Sequence, residues 1–157
     1  MDLKKLSMGE RIMALAGVLL LLDVLILPWH RISVGLGVFG FTASRTGVQS
    51  PNGFLGLLIA LVALAVVARI VLSEFTSVEL PALPVTWERA DLIAGAAAAA
   101  LVVVKLLAET SYLSVGAWLA VPLAGAMAYG GYVRSHEPAR AADAEARPAD
   151  SSEPQVF

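Results

Sequence analysis

The run from Ile12 to Leu27 most constrains what this chain can fold into: sixteen residues in which Asp23 is the one polar side chain. A helix rises about 1.5 Å per residue, so roughly 20 apolar residues cross a hydrocarbon core about 30 Å thick. Three further apolar runs follow, Phe54 to Ala68, Trp87 to Ala108 and Val115 to Val133. Charged residues make up 15% of the chain, against about 25% in an ordinary soluble domain. That is too little charge to cover a water-facing surface. The sequence therefore predicts an all-α membrane protein, a four-transmembrane-helix bundle with spans at about 10–29, 54–72, 87–108 and 115–133. In 157 residues this leaves no room for a separate soluble domain.

The connections carry their own signals. A basic start before an apolar run has the outline of a secretory signal, but Pro28-Trp29-His30 stands where a small-residue cleavage site belongs, so the first span is read as uncleaved. Pro28 ends that helix and Trp29 suits the headgroup level. In the first outer loop, Ile32 to Val38 alternates large and small residues, the period-two signature of a strand. Phe39-Gly40-Phe41 shifts the phase, Ser44-Arg45-Thr46-Gly47 reads as a turn and Val48-Gln49 as a return strand. This predicts a short β-hairpin, with a glycine-rich loop lying against the helix ends as the equal alternative. Ser50-Pro51-Asn52-Gly53 is turn chemistry. Arg69 is placed to snorkel from the end of the second span, and Leu80-Pro81-Ala82-Leu83-Pro84 to run extended along the interface.

Thr86 has the character of an N-cap, with Glu88 and Asp91 favoured by the helix dipole in the first turn. The block Ala94 to Ala100 lets a neighbouring backbone approach closely. In the fourth span Gly116, Ala120, Ala124 and Ala128 recur every four residues and form one small-residue stripe. It is read as a helix-packing face within the bundle or a homodimer seam. Pro122 is expected to bend this helix. Ser135 to Phe157, rich in Ala, Pro, Asp, Glu and Arg, is expected to be a disordered tail.

Orientation follows from basic residues. One side carries eight of them, Lys4, Lys5, Arg11, Arg69, Arg89, Arg134, Arg140 and Arg147; the other carries Arg31, Arg45 and Lys105. Both termini are thus expected in the cytoplasm. Trp29, Tyr112 and Trp118 would mark the outer interface and Trp87, Tyr129 and Tyr132 the inner one.

Within the spans, chemistry concentrates on Asp23. A charge in the bilayer needs a partner or a function, and Lys105 lies at a similar depth on the third span. The readings are a structural charge pair, a protonated acid bonded to a carbonyl, a proton- or cation-coupling site, or no role. His30, with no second histidine or adjacent carboxylate, is a poor metal site. Glu74, Glu79, Glu88 and Asp91 read as solvated loop and helix-capping residues, with attraction of cations or a basic partner as the alternative. No nucleophile elbow, phosphate-binding loop or zinc-protease helix motif occurs, so neither catalytic residues nor cofactors are expected. There is no cysteine. The basic residues are dispersed, which argues against a nucleic-acid partner.

Gly9-Glu10-Arg11, Leu27-Pro28-Trp29, Val115-Gly116-Ala117-Trp118 and Gly130-Gly131-Tyr132 together resemble small four-span membrane proteins of actinobacteria and related high-GC bacteria, a largely uncharacterised group. The resemblance covers about residues 8 to 134. It implies a multi-pass protein of the bacterial plasma membrane and supplies no activity. The expectation is a non-enzymatic structural, assembly or accessory subunit, whose partners are the bilayer and either further copies of itself or a larger complex. The alternative is a small ion-coupled transporter centred on Asp23.

Overall fold

The computed structural model describes residues 6–36, 39–49, 52–76 and 84–146. In chain order these form helix α1 (Met8–Ile26), strands β1 (Pro28–Leu36) and β2 (Phe39–Thr46), and helices α2 (Gly53–Phe75), α3 (Trp87–Ala108) and α4 (Val115–Ala146). Each helix packs antiparallel to its neighbour in sequence, and α4 closes the ring against α1. The bundle therefore has a terminal end, where α1 begins, and a hairpin end, where α1 stops.

α1 starts on a capping box. Ser7 Oγ accepts the Glu10 N–H at 3.2 Å, and Glu10 Oε2 accepts the Ser7 N–H at 3.1 Å. It stops where Leu27 turns extended before Pro28. α2 opens on Asn52 in the left-handed region (φ 53°), a conformation that Asn tolerates better than most residues. Thr86 occupies the N-cap of α3, as expected, although its hydroxyl makes no capping bond to the helix. α4 is continuous through Pro122.

Two expectations are corrected. β2 runs from Phe39 to Thr46, so Ser44-Arg45-Thr46 is strand and Val48-Gln49 a turn. The last pair is Leu36 with Phe39, which puts the connection at Gly37-Val38, outside the described residues. The second correction concerns the tail. α4 continues past Val133 to Ala146 because its first extra turn has partners: Glu137 Oε1 accepts the Gly9 N–H of α1 at 3.1 Å, satisfying one of the donors a helix start leaves open. The remainder of the expected tail, 147–157, lies outside the described residues, as do Lys4, Lys5, Ser50-Pro51, Glu79 and most of the proline-rich connector, 77–83.

The helices meet through small residues. A methyl group at Gly95 would stand 2.8 Å from Ala128 Cα, and one at Gly131 would stand 2.9 Å from Leu92 Cα, so α3 and α4 touch backbone to backbone. Gly9 and Gly130 play the same part between α1 and α4. Ala120 and Ala124 are buried, and Gly116 is buried against Trp29 and Leu27. The stripe thus faces into the bundle. Ala124→Leu should force the helices apart and cost about 1–3 kcal/mol, measured as a lower melting temperature in detergent. An unchanged melting temperature would mean the contact adds no stability.

Candidate functional site: two polar layers and an outer cleft

Among the described residues, two helical segments, Gly53–Ser73 and Trp87–Ala108, are long and apolar enough to cross a membrane. α1 differs by carrying Glu10, Arg11 and Asp23, and the apolar part of α4 is diluted by glycine, tyrosine and proline. On all four helices, however, large apolar side chains point outward, among them Leu15, Leu22, Leu61, Leu64, Ile93, Val104, Leu119 and Val121. Ionic groups are buried inside, in two layers. Asp23 lies thirteen positions after Glu10 along α1, about 20 Å of helix.

The terminal layer draws one charge from each helix. Glu10 of α1, Arg69 of α2, Asp91 of α3 and Arg134 of α4 alternate in sign around the bundle. Arg134 Nε lies 3.1 Å from Asp91 Oδ2 and Arg69 Nη1 lies 3.6 Å from Glu10 Oε1. Arg69 also pairs with Asp91, and Arg134 with Glu10. The guanidinium of Arg69 lies 5.9 Å from the centroid of the Trp87 ring, in cation–π range. The expected snorkelling of Arg69 is thereby corrected: the side chain turns inward and is buried, because two carboxylates are within reach there. Asp91 likewise acts as an ion-pair partner rather than a solvated helix-terminal residue. Two acids and two bases leave the layer formally neutral, so separating the helices would expose four charges at once.

The hairpin layer is organised by Trp29, fully buried at 0% exposure. This corrects its expected place at the headgroups. The cause is local. Pro28 pairs with Thr46 and His30 with Arg45, leaving Trp29 as the extra residue of a bulge, and bulges re-aim side chains. The indole N–H donates to Asp23 Oδ2 at 3.0 Å. The Lys105 ammonium stands 5.4 Å from the centroid of the indole ring and donates to the Asn52 carbonyl at 2.9 Å. Asp23 and Lys105, singled out from sequence as a pair, are therefore both buried against one tryptophan. Asp23 Oδ1 has no hydrogen-bond partner among the described residues.

Beyond this layer the hairpin projects from the bundle. Cross-strand pairs put Ile32 with Ala43 and Val34 with Phe41 on one face, and Arg31 with Ser44 and Ser33 with Thr42 on the other. At the root of the apolar face is a cleft of about 340 Å³, bounded across from the strands by the α3–α4 loop. His30 lines it, 6% exposed, with neither ring nitrogen hydrogen-bonded among the described residues. Burial, with the Lys105 ammonium, holds its pKa below the ordinary imidazole value, and Glu109 acts in the opposite sense. Arg45 and Glu109 also line the cleft, and no ion pair joins them among the described residues. Tyr112, on the rim, is held at φ 59°.

Sequence reasoning missed the terminal layer and the cleft. Ser7-x-x-Glu10 before an apolar run is a legible capping signal. The alternation of one charge per helix at the same end was legible too. The cleft had no such signal, since it joins residues far apart in sequence. Among the described residues no cluster of three or more histidine and carboxylate side chains could hold a metal ion. No family model, curated protein or solved structure matches this chain.

Proposed function

We propose that the chain is a non-enzymatic, four-span integral membrane protein, a structural or accessory subunit that holds the hairpin and its cleft on the outer face of a bacterial plasma membrane. The observation that carries this reading is the inside-out distribution of side chains: all four helices turn leucine, isoleucine and valine outward and their buried charges toward one another. In water that arrangement would expose an apolar surface around the whole bundle, whereas in lipid it removes the charges from hydrocarbon. α1, at 19 residues, spans about 28 Å, and its two acids spend themselves on internal partners. Four spans of adequate length follow, and the charge asymmetry puts both termini in the cytoplasm. A structural role is favoured because the terminal layer is internally matched, with one ion pair or more for every member. The small four-span proteins that the sequence resembles fit the same reading.

Because the chain has no cysteine, single introduced thiols report cleanly. In sealed cells, Ser33→Cys should react with an impermeant maleimide from outside and Ser135→Cys only after permeabilisation. Leu64→Cys and Ile93→Cys should stay unreactive in both. Labelling of Ser33→Cys and Ser135→Cys from the same side would overturn the four-span arrangement.

The unpartnered Oδ1 of Asp23 favours a second reading, a small ion-coupled transporter. Proteoliposomes would then show cation- or proton-driven uptake that disappears in Asp23→Asn.

A further inference from the structure

We propose that the cleft at the root of the hairpin binds the headgroup of a zwitterionic phospholipid, with phosphate toward Arg45 and His30, amine toward Glu109, and an acyl chain along the hairpin's apolar face. The first observation is His30. A buried imidazole with no partner on either nitrogen is a polar group waiting for a ligand, since most buried polar atoms are satisfied. Held neutral, it offers one N–H donor and one acceptor. The second is that Arg45 and Glu109 border the same cleft without closing on each other. One guanidinium and one carboxylate kept apart suit a ligand carrying both signs of charge. Arginine is well matched to phosphate oxygens, and a carboxylate accepts from an ammonium.

The third observation is the apolar face above the cleft. Ile32, Val34 and Phe41 are 45%, 49% and 70% exposed, on a two-stranded sheet that would be marginal by itself in water. They lead away from the cleft on the side where Ile32 and Ala43 already form its wall. A soluble phosphoester would leave that face bare, whereas an acyl chain would cover it. Tyr112, in an uncommon left-handed backbone conformation, lines the same cleft. The site rests on the membrane reading above for its supply of lipid, but its binding can be measured in detergent without reference to topology.

The test is native mass spectrometry of the full chain, purified in mild detergent, titrated with dihexanoyl phosphatidylethanolamine, dihexanoyl phosphatidylglycerol and free phosphoethanolamine. Phosphatidylethanolamine should bind about tenfold more tightly than phosphatidylglycerol, and Arg45→Gln or Glu109→Gln should each weaken it by about that factor. Free phosphoethanolamine should bind far more weakly. Equal binding of free headgroup and lipid would overturn the lipid assignment, and equal binding by wild type and both variants would overturn the site. Wild-type protein supplies an arm that needs no variant. A phosphatidylethanolamine with a diazirine in its acyl chain, at one equivalent, should crosslink to the strand residues 31–36 or 39–44. Crosslinks confined to the helices would overturn the proposal even if the variants misfolded. Failure of this site with correct thiol topology would leave the four-span reading intact.

Discussion

Asp91→Ala should lower the stability of the bundle by about 3–5 kcal/mol, more than any single truncation of an outward-facing leucine. Asp91 accepts from both Arg69 and Arg134, so its removal leaves two guanidinium groups with Glu10 alone. Stranding a buried charge is costly because its desolvation is no longer offset. The same reasoning fixes the double variant. Asp91→Ala with Arg69→Met leaves Glu10 and Arg134, an intact pair, and should recover a large part of the loss. Thermal melting of the four proteins in one detergent gives the coupling directly. Additive losses would mean the four side chains do not act as a unit. A secondary effect is expected at the start of α1, because Glu10 also caps Ser7: Glu10→Gln should lose ion pairing and retain a capping acceptor, whereas Glu10→Ala should lose both.

The features legible in the sequence were those set by near neighbours. The bounds Trp87–Ala108 are legible, since a Thr cap and a polar loop bracket the segment and its apolar stretch, Leu92 to Val104, lies between Asp91 and Lys105. The stripe of Gly116, Ala120 and Ala124 was legible because a four-residue spacing maps onto one helix face whatever the fold around it. Register and side-chain aim were harder. One extra residue at Trp29 decides whether that indole meets headgroups or the bundle interior, and composition does not encode a bulge. Arg69 and Arg134 each looked like an ordinary basic residue at a helix end. Their role emerges when four helices bring single charges of alternating sign to one level. Depth counted from the helix ends carries that level, since Glu10 lies near the start of α1 and Asp91 near the start of α3, and the later halves of α2 and α4 meet them there. The beginning of the tail was misjudged because its helix is stabilised by a contact with Gly9, at the opposite end of the described chain.

Trp29→Ala should be the most damaging change at the hairpin end, costing about 3–5 kcal/mol as a large buried aromatic is replaced by a cavity. The informative variant is Trp29→Phe. It retains an aromatic face for the Lys105 ammonium, though a smaller one, and it deletes the N–H that Asp23 accepts. An acid already lacking a partner on Oδ1 would then lack one on Oδ2 as well, a loss of about 1–3 kcal/mol for an unsatisfied buried group. Adding Asp23→Leu to Trp29→Phe removes that stranded acid and should restore stability relative to Trp29→Phe alone. In a wild-type background the same Asp23→Leu should be destabilising, because it strands the indole N–H. A change of sign between backgrounds is the signature of a direct bond. If Asp23→Leu has the same effect in both, Asp23 is held by something other than Trp29. The Lys105→Met variant completes the comparison: its loss should shrink when Trp29 is alanine, since the ammonium then has no ring to lie against. Losses of Lys105→Met that are identical with and without the ring would assign Lys105 to its Asn52 carbonyl bond. Trp29 would then serve Asp23 alone.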